Sequence, residues 1–219
     1  MKLRRIELKG FKSIDGRTGQ TIPFGDITVM LGANGSGKSN IVSFFKMLNF
    51  MMTGAFQSYV GRQGVQQLLF YGPRTTESII FSLFFSSEEA DDTYEARLSY
   101  GLPDRLFIGG EKVTYLKKGE TSAQEFFLES GGAEVRLGKD ERKTSRVLFR
   151  ILSGIRAYQF HDTSDTAKIK SRGYVDDAAY LRSDAGNLAA FLKMLKEHSE
   201  YMKYYDRIVR HIRRVMPQF

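Results

Sequence analysis

The residues from Gly32 to Ser39 match the pattern G-x-x-x-x-G-K-[ST] at every fixed position. Glycines in such a segment let the backbone curl, so that successive N–H groups point inward and close on a chain of phosphates. Lys38 would then lie along the β- and γ-phosphates of a nucleotide, and Ser39 would offer its hydroxyl to Mg²⁺. The segment therefore predicts a nucleotide-binding loop, which requires a strand before it and a helix after it.

The sequence on both sides of the loop predicts that strand and that helix. Residues 26–31 form a nearly continuous apolar run, which is typical of a strand buried on both faces. A helical pattern begins at Ser39 and continues to about Met52. An earlier strand is predicted over residues 2–9. Strand, loop and helix follow one another in the order that phosphate binding needs.

The middle of the chain predicts short strands instead of alternating strands and helices. Gly131 and Gly132 lie between two of these strands, where a tight hairpin is expected. The strands are rich in aromatic and β-branched residues and cover residues 78–87, 93–101, 105–116, 125–130 and 133–137. This pattern favours an antiparallel meander over strand–helix–strand crossovers.

The C-terminal part predicts mainly helices. The expected elements are a short helix over 139–152, a strand over 154–160, a polar loop over 161–174, a helix containing 187–198 and a last helix over 200–215. Ser183 or Asp184 could cap the helix that contains residues 187–198. We therefore divide the chain into a nucleotide-binding lobe, residues 1–160, and a loop and helical segment, residues 161–219.

The composition indicates a globular protein with a basic balance. The 219 residues include 33 Lys and Arg against 25 Asp and Glu, which gives a formal net charge of +8 and a pI near 9.6. This surplus favours polyanions, either nucleic acid or nucleotide phosphates. The chain has no cysteine, which excludes disulfides and thiolate metal sites. No window approaches the roughly 18 apolar residues of a membrane span, and we expect a cytoplasmic location.

The segments "LRRIELKGFKSI" (3–14) and "ITVMLGANGSGKSN" (27–40) resemble the start of the SMC/RecF-like branch of ABC-type ATPases. Two later segments, "YQFHDTS" (158–164) and "YLRSDAGNLAAFLKML" (180–195), are similar to a bacterial subgroup of stand-alone AAA-family ATPases with such a head. The resemblance implies an α/β P-loop fold of ABC-head type, with a mixed sheet, an antiparallel meander and C-terminal helices. It also implies ATP and Mg²⁺ as ligands.

The resemblance also implies roles for individual residues. Lys12 and Ser13 would approach the nucleotide beside the phosphates or the ribose, although Lys12 could equally be a surface lysine that ends an edge strand. Gln159 would reach Mg²⁺ and the attacking water, with His161 and Asp162 as alternatives. The ATP-binding loop residues would be Gly32, Asn34, Gly35, Ser36, Gly37, Lys38, Ser39 and Asn40. Of these residues, Lys38 would act in catalysis and Ser39 would bind the metal.

Parts of that family's hydrolytic machinery are missing from the sequence. Its members carry an apolar strand that ends in Asp-Glu, and no such strand follows Gln159. They also need a Ser-Gly signature after the Gln159 region, whereas the two Ser-Gly pairs here lie before it, in residues 128–135 and 151–158. We therefore expect the second half of the head to be missing and this chain to bind ATP–Mg²⁺ weakly, without turnover. The active form would be a homodimer or a complex through the ATP-binding face, with DNA maintenance or phage defence suggested by analogy alone.

Other functions fit the sequence less completely. A GTPase would need an Asn-Lys-x-Asp motif, and the nearest match, residues 137–140, lacks the asparagine. A small-molecule kinase would alternate strands and helices. The main alternative is a nucleotide-gated module without catalysis that binds DNA or assembles with a partner. The last helix has an apolar stripe of Tyr201, Tyr205, Ile208, Ile212 and Val215, opposite the basic residues Lys203, Arg207, Arg210, Arg213 and Arg214. This basic face is either solvated or follows a DNA backbone.

Overall fold

A computed structural model of the chain describes residues 1–158, 160 and 164–218. The chain forms two compact units, Met1–Ile155 and Arg156–Phe219. The first contains a sheet with helices packed on it, and the second contains two helices and the loop before them. No helix in the described part of the chain combines the length and the apolar character that a bilayer crossing requires.

The first unit is built on a six-stranded sheet with the order β2-β1-β3-β4-β5-β6, in which every neighbouring pair is antiparallel. The strands are β1 (Lys2–Lys9), β2 (Gln20–Pro23), β3 (Ser78–Ser86), β4 (Ala90–Gly101), β5 (Arg105–Lys117) and β6 (Gln124–Leu128). Ile6, Leu83, Tyr94 and Val113 lie opposite one another on four neighbouring strands and are all buried. Side chains alternate between the two faces of a strand, so one row of this kind marks the face that carries the core.

Four α-helices belong to the described part of the first unit, namely α1 (Lys38–Met52), α2 (Phe56–Gln63), α3 (Val65–Leu68) and α4 (Lys143–Ser153), and a short 3-10 helix covers Leu137–Lys139. Helix α1 covers the core face because Phe44, Met47, Leu48 and Met51 recur at helical spacing and are fully buried. The ring of Phe44 lies 5.2 Å from that of Phe81 on β3, in an edge-on arrangement. Packing against the sheet therefore fixes the helix that follows the glycine loop.

Two carboxylates hold the segment after β6 against the rest of this unit. Glu111 on β5 is buried and accepts hydrogen bonds from the backbone amides of Arg136 and Leu137, at 2.8 and 3.0 Å. Glu134 accepts hydrogen bonds from the amides of Phe56 and Gln57 at the start of α2, at 3.0 and 3.1 Å. Both carboxylates satisfy N–H groups that the local backbone leaves without partners.

The second unit contains α5 (Leu188–Glu197) and α6 (Met202–Val215), which contact each other. In these two helices, Leu195 is the only buried residue. The apolar stripe predicted for α6 is confirmed in its middle, where Tyr205, Ile208 and Ile212 are half-buried. It is wrong at both ends, because Tyr201 lies before the helix and is 37% exposed, and Val215 is 83% exposed.

Several predicted elements are confirmed, namely the first strand, the helix after the loop, the meander from 78 to 128, the helix within 139–152 and the last two helices. Helix α4 nevertheless begins four residues later than predicted, at Lys143 instead of 139. The strand β2 and the short helices α2 and α3 were not predicted. A mixed sheet was expected, but the six described strands pair only in the antiparallel sense.

Two of the strands predicted after β6 are wrong. Residues 133–137 form no strand, because the backbone amides of 136 and 137 donate to the Glu111 carboxylate and not to a neighbouring strand. Gly131 and Gly132 therefore do not form a hairpin. Residues 154–158 have no regular strand structure, and the second unit offers no described strand with which they could pair. Neighbouring strands, and not sequence pattern alone, decide whether such runs pair.

The predicted cap of α5 is also wrong. The helix begins after Asn187, whereas Ser183 and Asp184 were the predicted caps. The Asn187 side chain is buried and bonds the loop instead, donating to the carbonyl groups of Asp177 and Tyr180 at 2.8 Å each. This asparagine therefore anchors the loop to the start of the helix.

Candidate functional site

The glycine loop stands directly before α1, where a phosphate-binding loop must stand. Gly35 and Gly37 have φ values of +84° and +91°, a region that glycine enters without the steric penalty of a Cβ atom. A Cβ atom at Gly35 would meet no other atom within 4 Å, so the backbone conformation, and not space, requires glycine there. The start of α1 has no side-chain cap and no acidic residue in its first turn. Its first amides and the positive end of its dipole therefore remain available to an anion.

Lys38 folds back over the loop. Its ammonium group donates to the carbonyl oxygens of Gly32 and Ala33, at 2.6 and 2.7 Å, and lies 3.2 Å from the Ser36 hydroxyl. These contacts place a positive charge inside the curl of the loop, next to the first amides of α1. Ser39 is exposed, and its hydroxyl takes part in none of the hydrogen bonds found among the described residues. The loop's own carbonyl groups therefore hold the Lys38 ammonium group, whereas the Ser39 hydroxyl has no partner in the described part of the chain.

Ser13, which was predicted to approach the nucleotide, lies beside the loop. The Asn40 side-chain amide donates to the Ser13 hydroxyl at 2.5 Å, which ties the segment after β1 to the first turn of α1. Gly10 precedes this segment with a φ of +73°, and a Cβ atom there would lie 2.4 Å from the Ser78 carbonyl oxygen. The turn that brings Ser13 to the loop therefore needs glycine at position 10.

Lys12 is half-buried and adopts a φ of +52°, which is uncommon for a residue with a side chain. Burial lowers the pKa of its ammonium group, and the like charge of Lys46 on α1 lowers that pKa further. The sequence reading did not select Lys46, although its place two turns beyond Lys38 on the same helix could have drawn attention to it. An anion near Lys12 would relieve the repulsion between the two lysines.

The buried strand predicted over residues 26–31 is wrong. These residues form no strand, and Ile27, Val29 and Leu31 are 88%, 73% and 89% exposed. Thr28, Met30 and Leu31 line a cavity of about 530 Å³ beside the loop, together with Ser13, Ser36 and Lys38. The segment has the alternation of a strand, but no described strand lies next to it to form a sheet.

The structure brings part of the predicted site together. The loop residues Gly32 to Asn40 and Ser13 meet at the start of α1, whereas the charge of Lys12 interacts with Lys46 further along that helix. Gln159 and its alternatives, His161 and Asp162, lie outside the described residues. Their predicted role towards the metal stays a prediction.

The chain belongs to a family of AAA domains. The model of the family described as "AAA domain, putative AbiEii toxin, Type IV TA system" matches residues 27–215, which is most of the chain and includes the glycine loop. This match confirms the resemblance to ABC/SMC-like ATPase heads, and it supports nucleotide binding as the coarse function.

Two similar proteins come from the SMC group. A segment of 44 residues is 57% identical to the chromosome partition protein Smc of Rhodopirellula baltica, and it covers 20% of this chain but only 4% of that protein. A solved structure described as "Structural biochemistry of ATP-driven dimerization and DNA stimulated activation of SMC ATPases" is 25% identical. The match covers 55% of this chain and 71% of the other, with a TM-score of 0.35.

Proposed function

We propose that this chain binds ATP with Mg²⁺ in the loop formed by Gly32 to Ser39. The observation that carries the proposal is the loop itself, with glycines at positive φ, the uncapped start of α1 and the Lys38 ammonium group inside the curl. Backbone amides and an ammonium group together match the charge and the acceptor oxygens of a triphosphate. The family match favours the same ligand.

Each residue has a separate task in this proposal. The backbone amides from Gly35 to Ser39 hold the phosphates, and Lys38 exchanges its two carbonyl contacts for phosphate oxygens. Ser39 supplies a hydroxyl oxygen to Mg²⁺, a ligand type that this ion prefers. The metal would supply positive charge between the phosphate oxygens. Ser13 and Lys12 line the side of the site next to the first turn of α1.

Calorimetry on the full chain tests the site. Lys38→Ala should weaken ATP binding at least tenfold, since it removes the one charged side chain inside the loop. Ser39→Ala should weaken binding in Mg²⁺ more than binding in EDTA. Lys139→Ala removes an equal charge from an exposed position outside the loop and should leave the affinity unchanged. Equal affinity for the Lys38→Ala variant and the unchanged chain would refute the assignment.

We also propose that hydrolysis requires a further polypeptide segment. Three exposed apolar side chains, Ile27, Val29 and Leu31, stand in line immediately before the loop. A row of this kind is expected to be covered in the working protein. A covering segment could supply the signature and the Asp-Glu strand that this sequence lacks. Residues 1–160 would then act as the nucleotide lobe, and residues 161–219 would begin the helical subdomain.

Turnover and oligomeric state test this second part. The 219-residue chain should release no phosphate from ATP above the level of the Lys38→Ala variant. The covering segment can come from the rest of a longer head or from a partner subunit, and light scattering with and without ATP separates these sources. Nucleotide-dependent dimers that disappear in an Ile27→Asp variant would support the partner subunit. Robust ATP turnover by the monomer would refute the proposal.

A second candidate function is binding of a nucleic-acid backbone by α6. Lys203, Arg207, Arg210 and Arg214 recur at helical spacing, so they fall within about 60° of arc and extend for about 16 Å along the helix. All four are exposed, and Arg213 lies off this row. A straight row of cations matches a line of phosphates. The similar Smc protein, named for chromosome partition, favours DNA as the polymer.

Gel shifts on duplex DNA at several salt concentrations test the second candidate. Binding should fall steeply with salt, because each phosphate contact contributes about 0.9 to the slope of log K against log salt. Arg207→Gln with Arg210→Gln should reduce that slope by about two. Arg62→Gln with Arg105→Gln removes equal charge from exposed positions in the first unit and serves as the control. No shift at low salt would leave α6 with a solvated face only.

A further inference from the structure

Asp92 on β4 is a buried acid without a partner. Its side chain points to the core face of the sheet, between Phe85 and Tyr115 on the neighbouring strands, and the residue is 3% exposed. Among the described residues, its Oδ1 atom has no hydrogen-bond partner. Burial raises the pKa of Asp92 to about 6, and the charge of Asp91 raises it too. Buried carboxyl groups are normally paired, so this one calls for an explanation.

Asp92 lines a cavity of about 1050 Å³ in the first unit. The walls are the start of β1, the turn between β3 and β4, the inner faces of β5 and β6 and the first turn of α4. Tyr115, Phe126 and Val147 give the cavity an apolar side. Cavities that bind small molecules or single side chains are of this size or smaller, and they combine apolar walls with a few polar groups.

The basic groups around the cavity do not compensate Asp92. Lys2 pairs with Asp26 at 2.7 Å, and Arg142 pairs with Asp140 at 3.1 Å. No cation lowers the pKa of Asp92, whose two causes of shift both act upward. The charged groups that line the cavity are the amino group of Met1, Lys2, Arg4, Arg142 and Lys143 on the basic side, and Glu88, Glu89 and Asp92 on the acidic side. The acid that needs a counter-ion therefore has none among the residues that the structure describes.

We propose that this cavity binds the cationic end of a ligand, an ammonium or guanidinium group on an apolar stem, with Asp92 as its counter-ion. A carboxylate accepts hydrogen bonds from such a group and pairs with its charge. The stem would lie along Tyr115 and Phe126, as lysine and arginine stems lie on apolar surfaces elsewhere. An anion would suit the basic rim but would be repelled by the ionised Asp92. The same head group occurs in free amines and in the lysine or arginine side chains of a protein segment.

The test uses the full chain and measures the carboxyl ¹³C signal of Asp92 by NMR. The probes are agmatine, for a free amine, and N-acetylarginine amide, for a protein side chain. The citrulline analogue of the amide, which replaces the guanidinium by a neutral urea group, is the matched control, and inorganic phosphate represents anions. A cationic probe should saturate near neutral pH and should lower the titration midpoint of Asp92 below about 6. The tighter of the two probes identifies the source of the head group.

Two variants give opposite results for a cation site and for an anion site. Asp92→Asn keeps the side-chain shape and should weaken the cationic probe about tenfold or more. Lys143→Gln removes a like charge from the rim and should strengthen the cationic probe, whereas it would weaken an anion. The proposal is overturned if neither cationic probe saturates, if the Asp92→Asn variant binds equally well, or if only phosphate binds. A titration midpoint of Asp92 near 4 without any probe would also overturn it.

Discussion

Replacing Glu111 tests how the first unit is held together. Its carboxylate accepts three hydrogen bonds inside the protein, from the Tyr94 hydroxyl at 2.8 Å and from the amides of Arg136 and Leu137. Glu111→Ala leaves these three donors buried without an acceptor, and each such donor costs roughly 1–3 kcal/mol. Burial raises the pKa of Glu111, so removing the charge returns part of this cost. We expect a net loss of roughly 3–5 kcal/mol in the free energy of unfolding.

Urea unfolding followed by circular dichroism measures this loss. Glu111→Gln is the matched variant, because its carbonyl oxygen can still accept while its NH₂ group cannot. It should lose roughly 1–2 kcal/mol, about half of the effect of alanine or less. Tyr94→Phe removes one of the three donors, so its effect and that of Glu111→Ala should not add. A loss below about 1 kcal/mol in the Glu111→Ala variant, or equal losses in the alanine and glutamine variants, would refute the reasoning.

Three further predictions concern stability. Gly10→Ala places a Cβ atom 2.4 Å from the Ser78 carbonyl oxygen and should cost roughly 2–4 kcal/mol in urea unfolding. Gly54→Ala is the control, because Gly54 has a similar φ and its Cβ would meet no atom within 4 Å, so this change should cost about 1 kcal/mol. Equal costs would contradict the steric argument. The pKa of Asp92 is raised to about 6, so the protonated side chain contributes stability that is fully present below pH 3.8 and is lost as the pH rises through 6. The free energy of unfolding should fall by at most roughly 3 kcal/mol over this range. Asp92→Asn should remove this decline, and an unchanged pH profile in that variant would argue against the raised pKa. Glu134→Ala removes the carboxylate at the start of α2 and should cost roughly 0.5–2 kcal/mol in thermal unfolding. No change in melting temperature would show that water replaces the carboxylate as the acceptor for these two amides.

The elements that the sequence predicted correctly are those that local pattern decides. The helix after the loop and the two C-terminal helices have apolar residues at helical spacing, and the meander strands alternate between two faces. Two distant carboxylates explain the errors around residue 134. Glu111 and Glu134 take backbone amides that lie 25 to 78 positions away along the chain. No short sequence window contains that information.

The site follows the same division between local and distant effects. The motif predicted the loop and the helix after it, because glycine conformation and the uncapped helix start are local properties. The pattern could not predict the three contacts of Lys38 inside the loop or the pairing of Ser13 with Asn40. The Lys38 contacts require the folded geometry of the loop, and the Ser13–Asn40 contact depends on how a turn at Gly10 folds back towards α1.

The error over residues 26–31 shows what an apolar run can and cannot predict. The run indicates side chains that favour an interior, but it does not say whether a segment of the chain covers them. Ile27, Val29 and Leu31 are exposed here because no described strand lies beside them. The Asn40–Ser13 hydrogen bond ties the end of the loop to the segment after β1, whereas the residues before the loop pair with no described strand. A segment that covers this row would fix both ends of the loop at once, which gives a physical reason for nucleotide binding and assembly to be coupled under the proposed function.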